Sequence, residues 1–185
     1  MVVENTFRAF KENFGTDPSF LVRAPGRINL IGEHTDYNGL PVLPISIPHS
    51  IYAAGKPRKD TIFHISNQNI HYSSDSFEIT PRIAHSEEGH WANYVKAAAQ
   101  ALSVHFGSLN GLDGFFNGTI PVSAGLSSSS ALVIASALSL LEANGLTMSP
   151  VDLAEQMAAG EHYVGTQGGG MDQAICLLGK KDHAV

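Results

Sequence analysis

The segment from Leu126 to Asn144 is apolar nearly all the way round a helix, and this feature constrains the fold most. Its large apolar side chains are Leu132, Val133, Ile134, Leu138, Leu140 and Leu141. A helix without a polar face has to be enclosed by other elements instead of lying on a surface. The sequence therefore predicts a buried central helix that ends at Gly145.

The front half of the chain predicts mostly strands. Turn residues such as Asn38-Gly39 separate short apolar stretches at 20–24, 28–31, 41–47, 51–54 and 62–65. Helices are predicted over 3–14 with Gly15 as C-cap, over 90–106, and from an N-cap at Ser149 with Pro150 at the first position. A strand is predicted over 112–120 and a last short strand or turn over 171–178. Strands first and helices later indicate the α+β class.

The composition excludes several classes of protein. A length of 185 residues suits one domain or one lobe of a larger protein. The net charge is −6 without any run of Lys or Arg, which disfavours nucleic-acid binding. The lone Cys176 excludes a disulfide scaffold and fits a reducing compartment. No secretory signal opens the chain and no apolar stretch reaches the ~18 residues of a membrane span, so we expect a soluble, cytoplasmic protein without membrane contact.

A loop of small polar residues leads into the central helix. Residues 121–131 have the sequence PVSAGLSSSSA. Gly125 allows a ligand to approach the backbone closely, and four consecutive serines offer hydroxyls beside the free N–H groups of a helix N-terminus. This combination suits phosphate, although the lysine of a Walker A loop is absent. A heavily capped helix with a small-residue turn is the structural alternative.

A second polar loop lies between two predicted strands, in residues 23–39 with the sequence RAPGRINLIGEHTDYNG. Polar groups of this density beside strands are typical of a binding site on a loop. Glu33, His34 and Asp36 form a set that suits the hydroxyl groups of a ligand. Their spacing is not that of a zinc site, and hard metals usually take more oxygen ligands. The structural alternative is a polar hairpin turn at Asn38-Gly39, and such a turn does not exclude a binding site in the same loop.

A third loop, in residues 161–173, has the sequence EHYVGTQGGGMDQ. Three consecutive glycines cost backbone entropy, so they indicate either the close approach of a ligand or a flexible loop. Asp172 at the far end is placed to orient an attacking hydroxyl and accept its proton, as in phosphoryl transfer. Glu161, on the preceding predicted helix, is within reach of a metal ion near that carboxylate.

Together the three loops resemble the galactokinase branch of the GHMP kinases. Residues 26–39 are similar nearly letter for letter to the signature of that branch, and residues 121–131 are similar to the phosphate-binding motif of the family. Residues 165–173 resemble the third family motif, and Trp91-Ala-Asn-Tyr94-Val also matches the branch. The resemblance implies that residues 1–185 form a GHMP kinase N-terminal domain, with a mixed or antiparallel sheet packed by helices.

The resemblance also implies an activity, the ATP-dependent phosphorylation of galactose at its C1 hydroxyl. Asp172 would orient or deprotonate that hydroxyl, and Arg27 would stabilise the charged transition state. The residues implied to hold the sugar are Glu33, His34, Asp36 and Gly169. Those implied for ATP are Ser123, Ala124, Gly125, Leu126, Ser127, Ser128 and Ser129 around the phosphates and Trp91 near the adenine. Ser129 and Glu161 would meet Mg²⁺.

Other functions stay open at this point. The glycines at 168–170 leave space near C2 of a sugar, which keeps N-acetylgalactosamine as an alternative substrate. Arabinose is another alternative substrate within the same branch. A non-catalytic sensor of galactose and ATP is a further alternative, although the sensors known from yeast have lost residues of the serine loop, which this chain keeps. The chain departs from the family at Leu40, at the additional serine of the loop, and in the spacing of Glu161 from Asp172. It stops soon after the third motif, so we expect a missing C-terminal lobe to dock on this domain, and the fragment alone to be of doubtful activity.

Overall fold

The structure is a computed structural model that describes residues 1–32, 35–121, 124–166, 168–181 and 183–184, with Tyr37 described by its backbone alone. The helices are α1 (Val2–Phe14), α2 (Ala92–Phe106), α3 (Ser128–Asn144), α4 (Pro150–Gly160) and α5 (Met171–Leu178). The strands are β1 (Phe20–Ile31), β2 (Leu43–Pro57), β3 (Ile62–Asn67), β4 (Asp75–Glu78) and β5 (Leu112–Gly118). Short 3₁₀ turns cover Asp36–Asn38 and Glu161–Val164. The predicted α+β class is confirmed.

The five strands form one mixed sheet in the order β1-β2-β5-β3-β4. All neighbouring pairs are antiparallel except β3 and β5, which are parallel. The two stretches predicted at 20–24 and 28–31 belong to one strand, because the pairing register shifts between Pro25 and Arg27 and the strand continues past the proline. Such an irregularity in an edge strand accommodates a residue without an N–H group. The stretches at 41–47 and 51–54 likewise fall in the single strand β2.

The two faces of the sheet are covered by different helices. Ala53 and Phe116 pack into the main core with α2 and α3, whereas their neighbours Ala54 and Phe115 pack with Phe10 of α1. This alternation is the two-residue period of a strand. The central helix α3 is buried along its length as predicted, with Ala131, Val133, Ile134, Ala135, Ala137 and Leu140 fully enclosed.

The predicted helix ends are confirmed at three places. Gly145 ends α3 in the left-handed conformation. Gly15 ends α1 in the left-handed conformation, and the Ser149 hydroxyl accepts the Asp152 N–H at 3.1 Å at the start of α4. The predicted strand or turn over 171–178 is wrong, since these residues form helix α5. The short apolar run at 174–178 matches a buried strand and a buried helix equally well, so the sequence left the type of this element open. Within the described residues, no helix has the length and apolarity that a membrane crossing requires.

Candidate active site

An arginine–carboxylate pair lies where β1 meets the N-terminus of α5. Arg27 Nε is 2.6 Å from Asp172 Oδ1, and Arg27 Nη2 is 2.9 Å from Asp172 Oδ2. This two-point geometry gives the strongest kind of charge-assisted hydrogen bond between side chains. The side chains are 16% and 26% exposed, so both remain open to a ligand. The structure thus brings together the two residues predicted to act in catalysis.

The serine loop packs directly against this pair. The Gly125 carbonyl accepts from Arg27 Nη1 at 2.7 Å, and the Leu126 carbonyl accepts from the Arg27 backbone N–H at 3.2 Å. The approach is close at Gly26, where a Cβ atom would lie 2.8 Å from the Leu126 carbonyl oxygen. The Ser127 hydroxyl donates to Asp172 Oδ2. Strand β1 therefore needs a glycine here so that the loop can hold both members of the pair.

The second polar loop and the glycine loop meet at Asp36. Its Oδ2 accepts the Gly169 N–H at 3.1 Å across 133 residues of sequence. Asp36 opens a 3₁₀ turn that ends at Gly39 in the left-handed conformation. A cavity of about 320 Å³ beside this contact is lined in part by Asp36 and Gly169. Two residues predicted to hold the sugar are thus adjacent, while Glu33 and His34 lie outside the described residues.

A cleft of about 540 Å³ connects aromatic side chains with the start of α3. Tyr72, Trp91 and Tyr94 line one part of it, and Ser128 and Ser129 line another. The Trp91 indole is held in place because its Nε1 donates to the Ser73 carbonyl at 2.8 Å. The cleft combines aromatic and aliphatic walls with the polar side chains of Asn67, Gln68 and Asn69, a mixture that can orient a small molecule.

The predicted phosphate cradle divides into several parts. Ser128 and Ser129 line the cleft, whereas the Ser127 side chain is turned to Asp172. Ala124 and Gly125 are exposed in the loop, with Leu126 half-buried after them. Ser123 lies outside the described residues.

Glu161 is buried beside the site with one carboxylate oxygen unused. Its side chain is hydrogen-bonded to Ser130 and Gln173, and Oε1 has no hydrogen-bond partner among the described residues. Burial raises the pKa of Glu161 above its usual range, the hydrogen bonds from Ser130 and Gln173 oppose this, and the charge of Asp172 adds to it. A buried oxygen without a partner fits a divalent cation. Mg²⁺ is usually held by one or two carboxylates together with substrate phosphates and waters, so the residues present fit this ion.

Sequence reasoning missed Ser130 and Gln173, which surround Glu161. Both are nearly fully buried, and Gln173 Nε2 lies 3.4 Å from Ser130 Oγ. The available signal was a glutamine placed directly before the apolar residues of α5. Glutamine is seldom fully buried, so its position there could have indicated a buried polar partner. Cys176 is buried as predicted, and burial raises the pKa of its thiol to about 12. The thiol is therefore inert at physiological pH.

Comparisons with known proteins identify the family that this chain resembles. The model of the galactokinase galactose-binding signature matches residues 8–57, and that of the GHMP kinase N-terminal domain matches residues 93–180. A galactokinase of Candida maltosa is 39% identical over 95% of this chain and 86% of its own length. A galactokinase of Chloroflexus aurantiacus is 36% identical over 97% of this chain and 46% of its own length.

Solved structures show the same likeness. The crystal structure of Lactococcus lactis galactokinase complexed with galactose is 30% identical with a TM-score of 0.91, covering all of this chain and 48% of its own. Methanococcus jannaschii mevalonate kinase has a TM-score of 0.76 at 15% identity over 90% of this chain and 55% of its own, so it shares the fold alone. The chain spans about half the length of the bacterial galactokinases that it matches. With nearly the whole of the Candida maltosa relative aligned at this identity, the chain belongs to the galactokinase family of GHMP kinases.

Proposed function

We propose that the protein carrying this chain transfers the γ-phosphoryl group of ATP to the C1 hydroxyl of galactose, and that residues 1–185 form its GHMP kinase N-terminal domain. The observation that carries the proposal is the Arg27–Asp172 pair, which the serine loop contacts through Ser127 and which follows the glycine loop that Asp36 contacts at Gly169. The name shared by relatives at 36–39% identity supports the same reaction.

The chemistry assigned to the pair follows from its charges. The C1 hydroxyl of the sugar donates to the Asp172 carboxylate, which orients the oxygen for attack on the γ-phosphorus of ATP. The carboxylate takes the proton as the new O–P bond forms and the bond from the γ-phosphorus to the bridging oxygen breaks, which releases ADP. The Arg27 guanidinium supplies fixed positive charge where negative charge spreads over the transferring phosphoryl oxygens. Because these groups are held before the substrates arrive, little reorganisation is needed at the moment of reaction.

The substrates are assigned to opposite sides of the pair. Asp36 would accept hydrogen bonds from sugar hydroxyls, together with Glu33, His34 and the backbone at Gly169. The ATP phosphates would lie at Ser128, Ser129 and the preceding loop, with the adenine beside Trp91. Glu161 and Ser129 would hold Mg²⁺, which supplies charge neutralisation on the phosphates when bound.

The remaining half of the longer relatives suggests what covers the open end of the β1–β2 hairpin. The hairpin extends beyond its pairing with β5, which stops at Ile51. Leu30 and Ile31 there are 52% and 69% exposed, and Ile28 and Leu43 are also exposed. We infer that a C-terminal lobe equivalent to that of the longer relatives packs on this apolar surface.

The single buried thiol suits the reducing cytoplasm, where we place the protein.

The proposal is tested by ligand-observed NMR with this chain and by phosphoryl-transfer assays with the full-length protein. The panel consists of galactose, N-acetylgalactosamine, arabinose and glucose, each with and without a non-hydrolysable Mg·ATP analogue. We expect selective binding and phosphorylation of galactose. Preference for N-acetylgalactosamine or arabinose would show that one of these sugars, and not galactose, is the substrate. Binding of galactose and ATP without turnover would show that the protein is a sensor and not a kinase.

A further inference from the structure

Ser127 has a backbone conformation that serine rarely adopts. Its φ and ψ angles are 54° and 45°, and it is the only non-glycine with a positive φ in the part of the chain that the structure describes. A side chain in this left-handed region is strained, whereas glycine adopts it freely. Two residues earlier the loop uses Gly125 for a positive φ of 70°. A serine in the strained position therefore indicates that its side chain is needed there.

The strained backbone turns the Ser127 hydroxyl onto the carboxylate of the pair. The hydroxyl donates to Asp172 Oδ2, the oxygen that also accepts from Arg27 Nη2, while Oδ1 accepts from Arg27 Nε. The carboxylate is thus held by three donors from two separate segments of the chain. With the guanidinium alone, the carboxylate would be held only from the β1 side.

The same loop also fixes the arginine. The carbonyls of Gly125 and Leu126, two residues and one residue before Ser127, accept from the Arg27 side chain and backbone N–H respectively. Three consecutive loop residues therefore contact the pair through two carbonyls and one hydroxyl. The pair and the loop form one connected unit, in which the Ser127 hydroxyl is the only contact that runs to Asp172 among the described loop residues.

We propose that Ser127 is a positioning residue that holds Asp172 in the orientation needed to receive the C1 hydroxyl of the sugar. This role rests on the proposed function and differs from binding the ATP phosphates, because the hydroxyl is directed to the carboxylate and not to the cleft. The strain at Ser127 is retained because it provides this contact. The hydroxyl acts through Asp172, without touching the reacting atoms.

Two substitutions separate the hydroxyl from the backbone strain. Ser127→Gly removes the hydroxyl and accepts the left-handed conformation freely, whereas Ser127→Ala removes the hydroxyl and keeps the strain. In the full-length protein we expect both variants to lower kcat by about 10- to 100-fold, the effect of a misplaced reacting group. The KM values for galactose and ATP should stay within roughly two-fold, since the lost interaction serves the transition state. Thermal unfolding should show Ser127→Gly to be the more stable variant.

A double-mutant cycle gives a readout without turnover. Because the Ser127 hydroxyl and Asp172 share one hydrogen bond, the loss of stability in Ser127→Gly with Asp172→Ala should be smaller than the sum of the two single losses. Strictly additive losses would overturn the contact on which the proposal depends.

Three kinetic outcomes would overturn the proposal. Unchanged kcat in Ser127→Gly would show that the hydroxyl is dispensable. A fall in kcat confined to Ser127→Ala would assign the effect to backbone strain, and a raised KM for ATP with unchanged kcat would assign the hydroxyl to phosphate binding. Failure of the proposed function is distinguishable, since it would appear as absence of galactose phosphorylation by the unsubstituted protein.

Discussion

At the Arg27–Asp172 pair, the substitution Asp172→Asn distinguishes a catalytic role of the carboxylate from a structural one. Asp172→Asn keeps the size of the side chain but removes its charge and its ability to take a proton. We expect kcat of the full-length protein to fall by about 100- to 10,000-fold, the usual contribution of a general base, with an unchanged circular dichroism spectrum. The matched control is Asp17→Asn, which alters an exposed carboxylate 3.0 Å from Lys11 and should leave kcat unchanged. Turnover at the unsubstituted rate in Asp172→Asn would remove the residue from catalysis.

Asp36 is expected to recognise sugar hydroxyls, and its loss should affect one substrate only. Asp36→Ala removes the acceptor of the Gly169 N–H as well as that of a hydroxyl. An unpaired polar group in the pocket costs about 1–3 kcal/mol, so the affinity for galactose should fall correspondingly in calorimetry. The affinity for the ATP analogue serves as the internal control and should not change. Equal galactose affinity in both proteins would exclude Asp36 from the sugar site.

The buried Glu161 predicts a pH-dependent stability. Burial raises the pKa of Glu161 above its ordinary value of 4.5, which means that folding favours the protonated carboxyl. The stability that this group contributes is therefore complete below the unfolded pKa and is lost as the pH rises through the folded pKa. In metal-free protein at alkaline pH, the Glu161→Gln variant should have a higher melting temperature than the unsubstituted protein. This difference in melting temperature should become smaller at acidic pH.

The Glu161→Gln variant also tests whether Glu161 binds Mg²⁺. Added Mg²⁺ with the ATP analogue should stabilise the unsubstituted protein more than Glu161→Gln, since the variant has lost the charged oxygen. A melting temperature that is equal for the two proteins at every pH, with and without Mg²⁺, would contradict both expectations.

The sequence predicts which loops contribute to the candidate site but not the role of each serine. Arg27, Asp172, Asp36 and Gly169 were predicted from their motifs, and the structure brings them together in pairs. Four consecutive serines carry no sign of which hydroxyl faces a ligand, because that depends on one left-handed residue at the start of α3. The assignment of Ser127 and Ser130 to different carboxylates was therefore open until the loop conformation was known.

Among the elements, a buried lysine joins β4, α2 and the loop between them. Lys96 is 7% exposed, and its Nζ lies 3.1 Å from Asp75 Oδ2 and 2.5 Å from Ser86 Oγ. Burial raises the pKa of Asp75, but hydrogen bonds from the Ser76 N–H, Lys96 and Ser86 outweigh it and leave this pKa below 3.8. A lowered pKa stabilises the fold above the unfolded pKa, and this contribution disappears as the pH falls through the folded pKa.

The lowered pKa of Asp75 leads to a prediction about the stability that its contact with Lys96 provides. Asp75→Asn should lower the free energy of unfolding at neutral pH by about 1–3 kcal/mol, since it removes the negative charge that faces the buried Lys96 ammonium. The difference from the unsubstituted protein should shrink as the pH falls below 3.8 and disappear once the pH is below the lowered pKa of Asp75 in the folded protein. Asp17→Asn is again the control, because an exposed ion pair contributes about 0–1 kcal/mol. A loss of stability independent of pH would mean that the charge of Asp75 has no part in it.

At the level of elements, the sequence predicted types better than boundaries. The all-round apolar pattern predicted α3, and Ser149-Pro150 marked the start of α4. The strands that flank Pro25-Gly26 appeared separate, because the bulge that joins them depends on pairing with β2. β4 was not predicted, since its four residues are held by β3 and not by a pattern of their own.

For the whole molecule, the open end of the β1–β2 hairpin predicts self-association of the 185-residue chain. Ile31 is 69% exposed there, beside its pairing partner Leu43. Exposed apolar patches promote contacts between copies when no partner covers them. We expect Ile31→Lys to shift sedimentation velocity profiles towards monomer, and Ile70→Lys, a control at a residue that is 91% exposed outside the hairpin, to leave them unchanged. A chain that is monomeric at all concentrations would contradict this prediction.

The hydrogen bonds of Arg27 to Asp172 connect residues that are 145 positions apart, and this separation sets an order on biosynthesis. The ribosome delivers the arginine in the first hairpin and the serine loop long before helix α5. A nascent chain shorter than 172 residues holds the guanidinium with no counter-charge from Asp172, whatever else has folded. The Arg27–Asp172 pair therefore forms only when α5 docks on β1, so a chain released before α5 has emerged lacks this pair.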